Sequence, residues 1–295
     1  MKLTLAARPP FSFHSVVMSH GWMQLQPFGY DAEAGLLGYV DRLSSGRVLE
    51  YRIRAAPGGI TVESGGSPSP AERLEIKRRV AWMFELDLDF SGFYALARRE
   101  PKLKQAQRRA RGRILRCPTL FEDVVKTILT TNTLWRATRR MTANLVAQFG
   151  DPLPEDPSRH AFPVPGRLAK TSEQILRTET RLGYRAPYVL ELAQRTASGD
   201  LDLEALKDGN LPTPELRKRL LAIKGVGNYA AANLLILLGH YDFLPVDSWA
   251  LKMVSNEWHG GEPVTPAQVE AAFEKWGKWK GLAYFVWDWS ELEKG

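Results

Sequence analysis

The chain has 295 residues, 44% of them hydrophobic, so it can build one large core or two smaller ones and global disorder is not expected. Its formal net charge of +7 favours a polyanionic partner such as nucleic acid. The single cysteine, Cys117, excludes a disulfide framework or a four-cysteine metal site within the chain. The N-terminus does not resemble a signal peptide, and no window approaches about 20 apolar residues. We therefore expect a cytoplasmic protein with no membrane contact.

Short strand-like segments separated by Gly, Pro, Asp and Ser fill the N-terminal part of the chain. The predicted strands are 13–17, 38–40, 48–53 and 60–62, with a hairpin turn at 56–59. This pattern predicts an antiparallel β-rich domain over residues 1–70, which ends in a Gly-, Ser- and Pro-rich loop.

Helical spacing takes over from Ala71 and continues to the C-terminus, which predicts an α+β fold with a mainly helical body over 71–295. Predicted helices are 71–84, one at Phe93, 121–149 in two parts with a break at 130–133, 171–181, 187–198 and 276–289. Residues 150–165 are rich in proline and are predicted as a loop. Thr213 and Thr265 each precede a proline, which is typical of an N-cap followed by Pro at the first helical position.

Residues 102–116 contain seven basic residues and no acidic one. One interpretation is a solvated, mobile loop. The other is an electrostatic contact with a phosphate backbone.

A glycine turn between two apolar helical segments is the most informative stretch. The sequence Lys224-Gly225-Val226-Gly227 interrupts helical periodicity that resumes at about Tyr229, which predicts a tight hairpin between two helices. The N–H groups at the start of the second helix form a site suited to phosphate. Beyond that helix, Pro245-Val246-Asp247 places one carboxylate in an apolar neighbourhood, where it could also cap a helix.

Three ordered blocks together resemble the helix-hairpin-helix DNA glycosylases, the HhH-GPD superfamily, in its 8-oxoguanine and 3-methyladenine branch. The first is the 221–231 hairpin followed by Asp247. The second is the 183–189 block, Gly-Tyr-Arg-Ala-Pro-Tyr-Val, and the third is 112–115 leading into Thr130-Thr131-Asn132. The likeness covers roughly residues 85–290, and the β-rich start suits the N-terminal sheet of this branch.

The resemblance implies a base-excision repair enzyme that binds double-stranded DNA containing a damaged base. It also implies a monomer that is located with the chromosomal DNA in the cytoplasm. It also implies two helical subdomains within 71–295 with a cleft between them. In this family an aspartate at the position of Asp247 stabilises the oxocarbenium-like sugar as the N-glycosidic bond breaks. Members that also cut the strand carry a lysine where this chain has Tyr229, and a phenol cannot form an imine. We therefore expect a monofunctional glycosylase that does not cut the strand. If strand cleavage does occur, Lys224 or Lys252 is the first candidate for the amine that forms the imine.

Further roles follow from the same resemblance. Asn132 matches an asparagine that fills the gap left by the flipped nucleotide, although it could also serve as a helix cap. The backbone carbonyls of Leu221, Ile223 and Val226 match those that hold a monovalent cation, Na⁺ or K⁺, in relatives. No other cofactor is expected, because the five histidines show no metal-ligand spacing.

The base pocket departs from the 8-oxoguanine pattern. Its aligned positions carry the residues Tyr229, Asn233, Trp249, Tyr284 and Asp288. The aromatic members could instead be ordinary core residues, and Asp288 could lie on the surface. Trp22 and Phe28 from the sheet are weaker candidates for the same pocket.

The substitutions favour a damaged purine that is alkylated or deaminated, since a cationic alkylated base is already a good leaving group that suits an aromatic pocket. An 8-oxoguanine enzyme with an altered pocket is the first alternative. A non-catalytic hairpin module that only binds DNA is a second, and a helical scaffold for protein partners is a third.

Overall fold

The computed structural model describes residues 1–287, and the contacts within the chain group it into two compact units. The sheet unit comprises Met1–Asp89 and Arg113–Lys207. The hairpin unit comprises Phe90–Gly112 and the chain from Asp208 onward. The predicted boundary at residue 70 and the cleft between helical subdomains stay predictions, although a helix does begin at Pro70.

An antiparallel sheet of five strands, in the order β1-β5-β4-β3-β2, forms one layer of the sheet unit. Its strands are β1 (Lys2–Ala6), β2 (Phe28–Asp31), β3 (Leu36–Arg42), β4 (Val48–Ala56) and β5 (Gly59–Ser64). The predicted strands at 38–40, 48–53 and 60–62 and the turn between the last two are confirmed. Tyr39 lies opposite Tyr51 and Leu37 opposite Ile53, and all four side chains are buried. The sheet therefore contributes one continuous apolar face to the core.

Apart from α1, which lies between β1 and β2, the helices follow the five-stranded sheet along the chain as the sequence predicted, which confirms the α+β class. They are α1 (Phe13–Val17), α2 (Pro70–Met83), α3 (Ser91–Ala97), α4 (Leu120–Thr130), α5 (Trp135–Phe149), α6 (Pro165–Leu168), α7 (Glu173–Thr178), α8 (Ala186–Ser198), α9 (Thr213–Leu221), α10 (Asn228–Leu237), α11 (Ser248–Trp258), α12 (Pro266–Glu274) and α13 (Lys280–Phe285).

The segment 13–17, predicted as a strand, is the helix α1. Ser12 caps it by accepting the N–H of Ser15 at 3.2 Å. Phe13, Val16 and Val17 are buried together, and their spacing of three and four residues suits a helix and not a strand. The sequence also missed β1 and β2, which are short edge strands with few buried residues.

The 150–165 segment, predicted as a loop, contains a small hairpin of β6 (Pro152–Leu153) and β7 (Asp156–His160). Leu153 and Ala161 pack with Val40 of the main sheet in one apolar cluster. The sequence of β7 is polar and shows no alternation of apolar and polar residues, so it gave no signal for a strand. None of its side chains is fully buried, which is why the strand forms without apolar residues.

Helix α4 is buried on nearly every side and forms the centre of the sheet unit. Its apolar residues are interrupted by Glu122, Asp123 and Lys126, which are 1%, 0% and 0% exposed. Lys126 Nζ lies 2.6 Å from Glu122 Oε1, and Tyr39 donates its hydroxyl to Glu122 Oε2 at 2.5 Å. Burial of these charges is tolerated because each has a partner of opposite charge or a hydrogen-bond donor.

The basic run at 102–116 is neither wholly solvated nor wholly available to phosphate, so both interpretations were wrong for its last part. Arg111, Arg113 and Arg116 are buried. The guanidinium of Arg113 donates to four backbone carbonyls, those of Arg8, Pro10, Glu85 and Leu88. Arg116 pairs with the buried carboxylate of Glu85 and lies 4.2 Å from the ring centre of Trp82. These arginines therefore join segments of the fold.

The hairpin unit is built around aromatic side chains. Phe90 and Phe93 at α3 pack with Trp279, and Tyr241 stacks on Trp279 at 5.6 Å between ring centres. The predicted C-terminal helix is observed as a 3-10 turn at Gly277–Trp279 followed by α13.

Of the two predicted threonine caps, one is right. Thr265 caps α12 with a capping box that includes Gln268. Thr213 is instead the first residue of α9, with Pro212 at the cap position. Its hydroxyl donates to Asp242 at 2.6 Å and lies 2.9 Å from His240 Nδ1, so a tertiary contact displaced the local cap.

Candidate active site

The predicted helical hairpin is confirmed as the junction between α9 and α10. Gly225 has φ of +87°, a left-handed conformation that an L side chain rarely adopts. Val226 is buried and donates its N–H to the carbonyl of Ile223 at 3.0 Å, whereas Lys224 and Gly227 are exposed. Gly227 is the N-cap of α10 and provides no side-chain cap. The N-cap residue therefore supplies no side-chain acceptor to the first-turn N–H groups of α10, which suits a phosphate site.

A hydrogen bond between the side chains of Arg217 and Asn228 connects the two helices of this junction. Arg217 of α9 donates to Asn228 Oδ1 at the start of α10, at 2.7 Å. The same guanidinium lies 5.1 Å from the ring centre of Phe243. The hydrogen bond therefore joins α9 to the start of α10 across the glycine turn.

The predicted cation site uses carbonyls of Leu221, Ile223 and Val226. The Ile223 carbonyl already accepts one hydrogen bond, which leaves its second lone pair for a ligand. Neutral carbonyl oxygens suit a hard monovalent cation, so the donor set fits the proposed ion. Among the described residues, no group of three or more His, Cys, Asp or Glu side chains could hold a metal. The cation site stays a prediction.

Asp247 is the N-cap of α11. Its Oδ1 accepts the N–H of Ala250 at 2.8 Å and the hydroxyl of Tyr284 at 3.3 Å. Within residues 1–287 the second oxygen, Oδ2, receives no hydrogen bond, and the residue is half-buried. The cap explains why the carboxylate is held in one place, and the second oxygen can still interact with another group. The capping role and the catalytic role are therefore compatible.

The predicted pocket residues lie in the same unit, and two of them are well exposed. Tyr229 is 55% exposed and Trp249 is 53% exposed, so neither is an ordinary core residue. Asn233 donates its amide to the Tyr229 carbonyl at 2.9 Å, which leaves its Oδ1 as an acceptor. Tyr284 packs edge-on against Phe273 at 6.0 Å. Asp288 lies outside the described residues.

The structure therefore brings Tyr284 to Asp247 directly and places Trp249 two residues beyond it on α11. Tyr229 and Asn233 lie one turn apart on α10. All of these residues belong to the unit that also carries the glycine turn.

Asn132 belongs to the sheet unit and lies in the turn between α4 and α5. It is exposed, and its φ of +46° is left-handed, a conformation that asparagine tolerates better than most residues. The cap residue of α4 is Thr131, so Asn132 is the residue that follows the cap. A left-handed residue at this position is itself a common way to end a helix, so the alternative role in capping agrees with the backbone. The proposed role in filling the duplex stays a prediction.

The weaker pocket candidates, Trp22 and Phe28, are core residues of the sheet unit. Trp22 donates its indole N–H to Asp123 Oδ1 at 2.7 Å and is 6% exposed. The ring centres of Phe28 and Tyr39 are 4.6 Å apart, and the ammonium of Lys126 lies 4.7 Å from the ring centre of Phe28. Both rings therefore complete the surroundings of the buried charges of α4.

Sequence reasoning missed those buried charges. Burial raises the pKa of Asp123 to about 6, although the bonds from Trp22 and Cys117 act in the opposite direction. Burial lowers the pKa of His20 to about 4. The His20 ring donates Nε2–H to the carbonyl of Leu115 at 2.6 Å. The one available signal was three charged residues on an otherwise apolar helix, and periodicity alone could not identify their partners.

The match to known proteins defines the class. Residues 125–278 match the family model for the HhH-GPD superfamily base excision DNA repair protein. This match covers more than half of the chain, which therefore belongs to that superfamily. The predicted class, a base-excision repair glycosylase that acts on DNA, is thereby confirmed.

Individual relatives agree with this class. The chain is 26% identical over 224 residues to the DNA-3-methyladenine glycosylase of Bacillus subtilis, which covers 73% of this chain and 72% of that protein. It is 27% identical over 175 residues to DNA-3-methyladenine glycosylase 2 of Escherichia coli, which covers 58% of each. The solved 3-methyladenine DNA-glycosylase from Archaeoglobus fulgidus has the same fold, with a TM-score of 0.75, 21% identity and 97% coverage of both chains.

No helix in the described part of the chain is both long and apolar enough to cross a lipid bilayer. The cytoplasmic location and the monomeric state stay predictions.

Proposed function

We propose that this chain is a monofunctional DNA N-glycosylase that removes an alkylated purine from duplex DNA and leaves an abasic site. The observation that carries the proposal is the setting of Asp247. One carboxylate oxygen is fixed by Ala250 and Tyr284, while the other receives no hydrogen bond from the described residues. A fixed anion with one open oxygen suits the stabilisation of a positively charged sugar and the orientation of a water molecule.

The alkylated substrate class is supported by the exposed aromatic faces. Trp249 on α11, the helix that Asp247 caps, and Tyr229 on α10 are both more than half exposed. An aromatic face attracts a cationic base through its quadrupole, and the attraction is stronger where water is excluded. The relatives named above are 3-methyladenine glycosylases, which agrees with this class of base. Deaminated purines are neutral and would gain less from these faces.

The monofunctional assignment rests on the side chain at position 229. Tyr229 has no amine with which to form a Schiff base, so hydrolysis by water is the expected route. Lys224 and Lys252 are exposed amines in the same unit, and they identify where an exception would arise.

Oligonucleotide duplexes with one 7-methylguanine, 3-methyladenine, hypoxanthine or 8-oxoguanine test the whole proposal. We expect release of the methylated bases, with strand scission only after alkali is added. Scission without alkali, together with a borohydride-trapped adduct, would contradict the monofunctional part. Release of 8-oxoguanine in preference to the methylated bases would contradict the substrate class. Variants of Lys224 and Lys252 would then locate the amine.

A further inference from the structure

The turn that carries Asn132 is held by side chains from elsewhere in the sheet unit. At the end of α4 the carbonyl of Leu129 accepts the hydroxyl of Thr138 at 3.0 Å. The carbonyl of Thr131 accepts the hydroxyl of Tyr184 at 3.3 Å. The last carbonyls of a helix have no partner within the helix, and here distant side chains take that place. The conformation of the turn therefore depends on residues that are not its neighbours in sequence.

Arg185 makes the central contact with this turn. Its Nη2 donates to the carbonyl of Thr131 and, at 3.3 Å, to the carbonyl of Asn132. The guanidinium is buried and lies 4.3 Å from the ring centre of Tyr184. Within the described residues no carboxylate pairs with Arg185. Its charge is thus balanced by carbonyl dipoles at the C-terminal end of α4 and by the face of an aromatic ring.

The hydrogen bonding of Arg185 is directed to the turn and is otherwise incomplete. Its buried Nε has no hydrogen-bond partner among the described residues. A buried donor without a partner is unfavourable, so the position of the guanidinium is not the one that would satisfy all of its N–H groups. Its position is explained by the two carbonyls that it holds.

We propose that Arg185 is a positioning residue that sets the direction of the Asn132 side chain. By fixing the carbonyls before and at Asn132, it maintains the left-handed backbone from which this exposed side chain projects. The inference rests on the proposed function, because it assigns Asn132 to the gap left by the flipped nucleotide. Arg185 then acts on nucleotide flipping and on retention of the abasic site, and not on bond cleavage.

A double-mutant cycle between Arg185→Met and Asn132→Ala tests this coupling. The probe is a duplex with one tetrahydrofuran abasic-site analogue, and the measurement is the ratio of its Kd to that of the undamaged duplex. Flipping is followed by the fluorescence of 2-aminopurine placed beside the site. We expect each single variant to lose about tenfold of the preference for the abasic duplex, equal to about 1.4 kcal/mol. The double variant should lose no more than about threefold beyond either single variant.

Arg177→Met is the matched control, because it also removes one arginine from the sheet unit. Arg177 is exposed, and within residues 1–287 its ion-pair partner is Glu173, four residues earlier on α7. Its variant should bind both duplexes within about twofold of the parent protein. Arg185→Lys retains one charged donor for the Thr131 carbonyl and should recover a measurable part of the loss. If Arg185→Met does not fold, the cycle is measured with Arg185→Lys.

Losses that multiply in the double variant would overturn the inference, because Arg185 would then act independently of Asn132, for example on a phosphate. No loss in Asn132→Ala, or none in Arg185→Met, would overturn it as well. Failure of the proposed catalytic function is distinguishable, since it appears as base release that survives Asp247→Asn. Neither the abasic-site duplex nor the 2-aminopurine signal requires base release.

Discussion

The two units hold their carboxylates in opposite ways. In the sheet unit Glu122 Oε1 forms an ion pair with Lys126 and Oε2 accepts the hydroxyl of Tyr39. Both oxygens of Asp123 accept N–H groups, from Trp22 and from the backbone of Cys117. In the hairpin unit only one oxygen of Asp247 accepts hydrogen bonds from the described residues. A carboxylate whose oxygens are all engaged stabilises a fold, whereas one that is fixed through a single oxygen can still act on a ligand.

The comparison also separates burial from function. Asp123 is the more deeply buried group, and burial raises its pKa to about 6, a shift that is often taken as a mark of a catalytic site. Its partners are nevertheless an indole and a backbone N–H that complete a core. The open oxygen of Asp247 is the better guide to the site in this protein.

The largest expected effect concerns the buried ion pair. Lys126→Met should lower the free energy of unfolding by about 3–5 kcal/mol, because it leaves the Glu122 carboxylate buried without its counter-charge. Urea denaturation followed by circular dichroism measures the change. The double variant Glu122→Gln with Lys126→Met should recover much of the loss. A change below about 1 kcal/mol in Lys126→Met would show that the pair is not needed for the core.

Asp247→Asn should reduce the single-turnover rate of 7-methylguanine release by about 10³-fold, or ~4 kcal/mol, since the neutral amide cannot stabilise the sugar cation. The fold should be unaffected, because asparagine is as good an N-cap as aspartate. Affinity for an abasic duplex should stay within an order of magnitude. Base release within about tenfold of the parent rate would remove Asp247 from the mechanism.

The pH dependence of stability tests the raised pKa of Asp123. Its folded pKa of about 6 exceeds the usual value near 3.8, so the folded state binds more protons between these values. This contribution to stability is present below about pH 4 and is lost as the pH rises through 6. His20, with its pKa lowered to about 4, has the opposite dependence, because its unfolded state binds more protons and stability is lost as the pH falls from 6.5 to 4.

Asp123→Asn removes the first contribution and keeps an oxygen acceptor for Trp22. From pH 6.5 to 4 the variant should therefore lose about 2 kcal/mol more stability than the parent protein does. Urea unfolding at a series of pH values measures this difference. Equal pH dependence in the two proteins would mean that Asp123 titrates in the folded state as it does in the unfolded one.

The smallest expected effect is that of Tyr284→Phe. The ring and its edge contact with Phe273 are retained, while the hydroxyl that donates to Asp247 at 3.3 Å is lost. Removal of one such bond costs about 1 kcal/mol, so base release should slow about three- to tenfold with little change in KM. An unchanged rate would leave Ala250 as the sufficient anchor of the carboxylate.

Much of the fold was predictable because its determinants are local. The spacing of Gly225 and Gly227 predicted the hairpin, and the Thr265-Pro266 pair predicted the start of α12. Asp247 could be recognised as both a cap and a candidate catalyst. In each case the residues that determine the conformation lie within about one helical turn of each other.

Tertiary structure decided the rest. The sequence could not show that Arg113 is buried or that Thr213 bonds to Asp242. It flagged the 183–189 block without assigning Arg185 a role, because the carbonyls that Arg185 holds lie 53 and 54 residues earlier in the chain. Local spacing fixes backbone conformation, but the partner of a buried polar group is fixed only when distant segments exclude water around it.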